Sequence, residues 1–308
     1  MNNSKINSLK IISLLEKNDF KGSIVSINRI KELKSHIENL YSQRLFDETF
    51  FEERLNIFDF DSSKVTANSK SIIIATKRQP IIRVEFYYRG SKHQVIVPPT
   101  YNNTTDKQAS DLLTSIFERK RYTLAEVQLP EKLLLVMSGI GKYGRNNIVY
   151  VDGMGSFHRP TAFITDAKLD EIKWGNPQIH EICIKCKACI NSCPTDAISE
   201  DKFLIRAEKC LTYYNERGYP FPDWINSEWH NCIIGCMKCQ NVCPLNRDFL
   251  DNVENAVVFS EQETIQVLGN TSITRLSQSI IDKLKKINLF DDYNLLSRNL
   301  NVLVNKAN

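Results

Sequence analysis

Cysteines are the residues of this chain whose type and spacing most directly indicate chemistry. All nine lie between Cys183 and Cys243 of a 308-residue chain. The segment from Cys183 to Pro194 reads C-x2-C-x2-C-x3-C-P, a spacing that lets one short turn present three thiolates to three irons of a [4Fe-4S] cubane. In two-cluster ferredoxins the cysteine before the proline ligates the other cluster. The spacing therefore predicts an iron-sulfur site and a partner run.

The partner run extends from Cys236 to Pro244 and reads C-x2-C-x3-C-P, with Cys243 placed to return to the first cluster. Two cubanes need eight thiolates, so one of the nine is spare. The doubtful pair is Cys210 and Cys232. A regular run would carry a cysteine at Ile233, one residue from Cys232, whereas Cys210 is isolated and could supply a ligand from a separate segment. Spacing alone leaves this choice open.

Structural zinc is the main alternative for such a segment, because paired C-x2-C motifs commonly hold zinc. Three cysteines at successive three-residue intervals before a Cys-Pro pair fit a zinc site poorly. Disulfides would leave an odd thiol and would spare most of the chain. We therefore interpret the segment as two [4Fe-4S] clusters that move electrons, which leaves open whether the chain also performs chemistry.

Composition places the chain among ordinary globular proteins. Hydrophobic residues make up 42% and charged residues 25%, and a net charge of +4 does not require a polyanionic partner. The N-terminal segment lacks the continuous apolar region of a signal peptide, and no apolar stretch approaches the roughly 18 residues of a membrane span. We expect a cytoplasmic protein without a membrane segment.

Hydrophobic periodicity predicts mixed helices and strands before the cysteines. The segments 71–75, 81–88 and 93–97 read as strands, and the last two flank Arg89-Gly90-Ser91 as a hairpin. Helices are expected from Thr105 or Asp106 to Phe117 and from Pro130 to about Gly139, and again in 273–287 and 295–304. Two glycine-containing loops, Ser138 to Asn147 and Gly153 to Ser156, surround a short strand and would let a ligand approach the backbone.

These features together resemble the epoxyqueuosine reductases and related cobalamin-dependent reductases. The likeness covers roughly residues 65 to 250 and is carried by the cysteine segment, by ERGYPFP (216–222) and by the loops SGIGKYGRNN and GMGSF. It implies an α+β fold with an N-terminal α/β cobalamin-reductase-like domain, a bacterial-ferredoxin-like module with two [4Fe-4S] clusters, and a small helical tail. It also implies a base-off cobalamin beside the clusters. We expect domains at 1–178, 179–250 and 251–308.

The resemblance also implies ligand sets. It assigns one cluster to Cys183, Cys186, Cys189 and Cys243, and the other to Cys193, Cys210, Cys236 and Cys239. Cys232 then becomes the spare thiol, with a buried structural role or a substrate-facing one. The corrinoid or substrate would be bound by residues of the two loops: Gly144, Arg145, Asn146, Asn147, Gly155, Ser156 and Phe157.

The proton donor is where the sequence departs from this family. The family's tRNA enzymes carry an aspartate upstream of the first loop, and the alignment places Ala125 there. Glu126 is adjacent and would serve if the register shifts by one residue, which turns its side chain to the other face of a strand. Tyr213, which closely follows Cys210, and His158, as a residue type that ordinarily titrates near neutral pH, are the other proposed donors.

These observations predict an iron-sulfur oxidoreductase of a divergent subfamily. A low-potential donor of ferredoxin or flavodoxin type would reduce the clusters, which would pass electrons to cobalamin and thence to an unidentified small-molecule substrate. Two alternatives remain: an epoxyqueuosine reductase acting on tRNA, and a non-catalytic ferredoxin-like electron carrier without corrinoid.

Overall fold

The structure is a computed structural model that describes residues 6–60 and 68–305. Its helices are α1 (Ser8–Lys17), α2 (Arg29–Ser42), α3 (Glu48–Arg54), α4 (Thr104–Arg119), α5 (Glu131–Met137), α6 (Ala188–Ser192), α7 (Leu211–Asn215), α8 (Lys238–Asn241), α9 (Glu261–Leu268), α10 (Gln278–Lys286) and α11 (Tyr293–Val304). Its strands are β1 (Phe20–Ser26), β2 (Ser71–Arg78), β3 (Ile81–Tyr88), β4 (Ser91–Val97), β5 (Leu124–Glu126), β6 (Gly141–Tyr143), β7 (Val149–Val151), β8 (His158–Thr165) and β9 (Val253–Phe259).

The described residues group into two units. The first comprises Met1–Arg78 and Asn103–Cys186, and the second comprises Gln79–Asn102 and Lys187–Asn308. This grouping differs from the three consecutive segments expected from the sequence, because the hairpin strands β3 and β4 group with residues that follow the first cysteine run. The difference arises from long-range strand pairing, which local sequence patterns do not reveal.

The first unit is built on a sheet of order β1-β2-β8-β5, in which every neighbouring pair is antiparallel. Strand β2 is central, and its apolar run is buried on both faces. Ile72 and Ile74 pack with α2 and α5, whereas Ile73 and Ala75 pack with α1 and α4. Helices therefore cover both sides of this sheet, and β6 and β7 form a separate two-stranded hairpin.

The second unit contains a sheet of order β4-β3-β9. The predicted hairpin is confirmed: Tyr88 pairs with Ser91 across a two-residue turn in which Arg89 (φ 51°) and Gly90 (φ 71°) have the left-handed backbone that such turns require. Strand β9 pairs parallel with β3, so the segment 251–308 contributes a strand in addition to the predicted helices. Helices α9, α10 and α11 cover this sheet and complete its core.

Among the residues that the structure describes, no helix combines the length and the apolar character that a membrane crossing needs.

Candidate iron-sulfur and cofactor site

The two cysteine runs fold into matching local structures. Cys189 is the second residue of α6 and Cys239 the second residue of α8. Each short helix is followed by the cysteine that precedes proline, with extended backbone at both Cys193 and Cys243. None of the nine cysteines is in a disulfide. The duplicated spacing therefore corresponds to a duplicated backbone geometry.

The second predicted ligand set lies within the second unit. The Cys210 thiol is buried, which raises its pKa to about 11, and the nearby thiols of Cys236 and Cys193 contribute to that shift. The pKa of Cys236 is also raised, first by burial and then, among other contributions, by Cys193. The thiols of Cys193, Cys210 and Cys236 therefore lie close together and would supply three of the four thiolates that a cubane requires. This geometry favours Cys210 over Cys232 as the separate ligand.

Cys232 is engaged elsewhere. Its side chain is 1% exposed, and its thiol donates a hydrogen bond of 3.1 Å to Oδ1 of Asn231. The spare cysteine is therefore a buried thiol with a polar partner of its own.

The four cysteines of the first predicted ligand set are divided between the two units. Cys183 lies in the short 3-10 turn Glu181–Ile184 of the first unit, and Nη2 of Arg145 donates to its carbonyl oxygen at 2.8 Å. Cys186 follows in the same unit, whereas Cys189 and Cys243 belong to the second. The assignment of these four cysteines to one cluster stays a prediction. Arg145, predicted to bind cofactor, contacts the backbone of a predicted cluster ligand.

The first glycine loop contains β6 and most of the turn that leads to β7. The amide of Asn147 donates to the Gly144 carbonyl at 3.0 Å, and Asn147 has left-handed backbone (φ 57°). Asn146 is buried, with its Nδ2 donating to the Tyr150 hydroxyl at 3.1 Å. These contacts favour a structural role for Asn146 in shaping the turn.

The second glycine loop is more enclosed than the sequence suggested. Gly155 bridges to Val151, and Ser156 and Phe157 are 1% and 0% exposed. His158 is also buried, and its Nε2–H donates to the Val149 carbonyl at 3.0 Å while Nδ1 lies 2.8 Å from the Thr76 hydroxyl. Burial lowers the pKa of His158 to about 4. A neutral, enclosed imidazole is poorly suited to the proton-donating role predicted for it.

A cavity of about 910 Å³ opens in the first unit beside these loops. Its lining includes Gly139 and Gly153, which belong to the two glycine segments, and the cations Lys21, Lys77 and Lys173. Both glycines have positive φ, and a Cβ on Gly153 would meet no atom within 4 Å. None of the seven loop residues predicted to bind cofactor is among the lining residues. The cavity therefore adjoins the predicted loops at other positions.

Acidic residues surround Arg159 at the β5 edge of the first sheet. The Arg159 guanidinium pairs with Asp106 through Nη2 to Oδ2 at 2.8 Å. Burial raises the pKa of Glu131 to about 8; Arg159 opposes this shift, and Asp106 and Glu126 add to it. The pKa of Glu126 is also raised, by burial and by Asp106. Glu131 was not predicted as a site residue, and an acidic group at the start of an apolar helix was the available signal.

Tyr213, the remaining predicted proton donor, lies in the second unit. Its ring is 5% exposed, and the Arg217 guanidinium lies 4.6 Å from the ring centroid. This contact favours a packing role for the ring.

Comparison with known proteins bears on this geometry. Residues 182–246 match the family model of 4Fe-4S double cluster binding domains. Over 83 residues, 27% of this chain and 26% of the relative, the chain is 36% identical to an epoxyqueuosine reductase of Cyclobacterium marinum. Over 69 residues the chain is 35% identical to a tetrachloroethene reductive dehalogenase of Desulfitobacterium hafniense, and the match covers 22% of this chain and 12% of that relative.

Solved structures extend the similarity beyond the double-cluster domain. The epoxyqueuosine reductase of Streptococcus thermophilus matches 96% of this chain and 80% of its own, with a TM-score of 0.66 and 15% identity. An epoxyqueuosine reductase bound to a modified tRNA-Tyr stem loop matches with a TM-score of 0.65 and 17% identity, again over 96% and 80%. The predicted fold class and the stated resemblance are thereby confirmed. The sequence matches span about a quarter of the epoxyqueuosine reductase from C. marinum.

Proposed function

We propose that this chain is a cytoplasmic iron-sulfur oxidoreductase whose two [4Fe-4S] clusters deliver electrons to a cobalamin that reduces an unidentified substrate. The observation that carries the proposal is the double-cluster domain at 182–246, within a fold shared with epoxyqueuosine reductase over 96% of the chain. Sequence similarity to both that enzyme and a reductive dehalogenase supports a reductase over an electron carrier. The electron donor would be a low-potential ferredoxin or flavodoxin.

The donor chemistry of the chain fits the two clusters. We propose the ligand sets given by the resemblance, and the proximity of the Cys193 thiol to those of Cys210 and Cys236 supports the second set. Binding of iron would displace the protons that burial retains on Cys210 and Cys236. Arg145 would hold the first run in place through its hydrogen bond to the Cys183 carbonyl.

The cavity of the first unit is the candidate site for a cofactor of corrinoid type. Its volume of about 910 Å³ lies within the range of small-molecule and cofactor sites. Gly139 and Gly153 would let the ligand approach the backbone, and Lys77 and Lys173 would bind anionic or carbonyl groups at its periphery. When bound, the clusters would supply single electrons and the corrinoid the reactive cobalt. The protein would contribute orientation and protons.

The acids around Arg159 are the groups best suited to supply a proton. A carboxyl group with a pKa of about 8, as at Glu131, retains its proton at neutral pH and can release it. Glu126, predicted as a donor from the sequence, lies in the same electrostatic cluster. Ala125 occupies β5 at the position where the resemblance expects an aspartate, so these carboxyl groups would take over its role.

Epoxyqueuosine in tRNA is the second candidate substrate. It is favoured by the fold match to the reductase solved with a tRNA stem loop. The alanine at position 125 counts against it. Incubation of the reduced, cobalamin-loaded protein with epoxyqueuosine-containing tRNA, followed by mass analysis of the nucleosides, separates the two. Formation of queuosine assigns this substrate, and its absence under conditions where a known epoxyqueuosine reductase is active removes it.

Anaerobic cobalamin titration tests the central proposal. The reconstituted protein is expected to contain two [4Fe-4S] clusters by iron and sulfide content and to convert added cobalamin to its base-off spectrum. Lys77→Gln, in the cavity lining, should weaken binding about tenfold or more, whereas Lys10→Gln on the exposed face of α1 should not. Clusters without any cobalamin spectral change would support the electron-carrier alternative. Zinc in place of iron would overturn the proposal as a whole.

A further inference from the structure

The side chain of Asn231 is fixed against a predicted cluster ligand. Its Nδ2 donates a hydrogen bond to Sγ of Cys236 at 3.1 Å. Its Oδ1 accepts from the backbone N–H of Met237 at 2.8 Å and from the Cys232 thiol at 3.1 Å. Nδ2 also lies 3.2 Å from the Trp229 carbonyl oxygen. Every polar atom of the amide therefore has a partner.

These contacts determine which end of the amide faces the sulfur. A backbone N–H can only donate, so the Met237 amide must face the oxygen of Asn231 and not its nitrogen. The Trp229 carbonyl can only accept, so it must face the nitrogen. With both ends assigned in this way, an N–H of Asn231 points at Cys236.

A hydrogen bond to a cluster thiolate changes the energy of adding an electron. The reduced cluster carries one more negative charge than the oxidised cluster, and a donor at a ligand sulfur stabilises the more negative state. The reduction potential rises accordingly. Groups beyond the ligands that orient such donors act on the potential through them.

We propose that Asn231 raises the reduction potential of the cluster ligated by Cys236 and that Cys232 is a positioning residue that holds Asn231 in the donating orientation. The proposal rests on the proposed function in one respect, that Cys236 is a cluster ligand. It gives a role to the ninth cysteine, which neither predicted ligand set uses. It also gives the two clusters different surroundings, because the donor belongs to one of them.

The test is a redox titration of the reconstituted full chain without cobalamin, with the reduction of each cluster monitored by electron paramagnetic resonance. Asn231→Ala is expected to shift the midpoint potential of one cluster to a more negative value and to leave the other unchanged. Asn191→Ala is the matched control: this asparagine lies between Cys189 and Cys193 in α6 with an exposed side chain, and its loss should shift neither potential. Wild-type potentials for both clusters in Asn231→Ala would overturn the proposal.

Two cysteine variants test whether Cys232 positions Asn231. They also test the proposal if the Asn231→Ala protein does not retain its iron. Cys232→Ala removes the donor to Oδ1 and should shift the same cluster in the same direction by a smaller amount. Cys232→Ser keeps a donor and should retain the wild-type potential. Equal potentials in the alanine and serine variants would contradict the role of Cys232. Absence of iron and sulfide from the wild-type chain would instead refute the proposed function, and failure to bind cobalamin would not affect this measurement.

Discussion

Asn299 of α11 is the residue whose replacement should destabilise the second unit most informatively. Its side chain is 1% exposed, and its Nδ2 donates to the carbonyl oxygens of Asn215 at 2.9 Å and Ile233 at 2.8 Å. Ile233 lies three residues before Cys236, and Asn215 donates in turn to the Gly235 carbonyl at 2.6 Å. One amide of the tail thus supports the backbone leading to a predicted cluster ligand.

The magnitude follows from the two acceptors that Asn299→Ala would leave behind. A buried polar group that loses its partner costs about 1–3 kcal/mol, so the pair should cost roughly 2–6 kcal/mol of unfolding free energy. For a domain of this size, about 2–4 °C of melting temperature corresponds to each kcal/mol. The expected decrease in melting temperature is therefore roughly 4–24 °C, with loss of cluster absorbance at the same temperature.

Two further variants sharpen this prediction. Asn299→Asp keeps the oxygen that accepts from Arg298 at 2.8 Å but removes both donors, so it should be at least as damaging as alanine. Asn301→Ala removes an exposed asparagine from the same helix and should change the unfolding free energy by no more than about 0.5 kcal/mol. Melting is followed by circular dichroism on anaerobic protein of matched iron content at one scan rate. Equal melting temperatures for Asn299→Ala and Asn301→Ala would refute the reasoning.

Two other predictions concern backbone strain and pH. Gly235 (φ +66°) has Tyr101 Oη only 2.6 Å from an added Cβ, whereas Gly90 (φ +71°) has nothing within 4 Å. In denaturation experiments Gly90→Ala should therefore lower the unfolding free energy by about 1–2 kcal/mol from backbone strain alone. Gly235→Ala should lower it by about 1–3 kcal/mol more because of the clash, and equal decreases for the two variants would contradict this reasoning. The pKa of Glu131 is raised from 4.5 to about 8 in the folded state, so its contribution to stability is full below about pH 4.5 and is lost as the pH rises through 8. The loss amounts to about 1.4 kcal/mol of unfolding free energy for each pH unit between the two pKa values. Glu131→Gln should remove it. Parallel curves of unfolding free energy for the two proteins between about pH 5 and 9 would show that the pKa of the carboxyl group is not perturbed.

Local chemistry explains what the sequence alone determined. The two cysteine runs predicted a segment that binds two [4Fe-4S] clusters. A cubane is ligated by thiolates that lie only a few residues apart, so the spacing of the cysteines is enough to indicate the site. The sequence also predicted the hairpin of β3 and β4, since strand-forming residues flank a turn that needs positive φ at Arg89 and Gly90. Family resemblance supplied the fold class, which the solved structures bear out.

Long-range packing decided the remainder. Spacing could not choose between Cys210 and Cys232; the structure brings Cys210 near the thiols of Cys193 and Cys236 and turns Cys232 toward Asn231. The parallel pairing of β9 with β3 joins segments about 170 residues apart, and no local pattern encodes such a pairing.

The same holds for the acid–base groups. His158 has a titratable side chain in the sequence, but enclosure between β2 and β7 lowers its pKa to about 4. Glu131 is an ordinary carboxylate in the sequence, but burial beside Asp106 raises its pKa to about 8. A side chain's chemistry is set by its residue type, whereas its charge at neutral pH depends on neighbours and on water exclusion, which only the folded chain supplies.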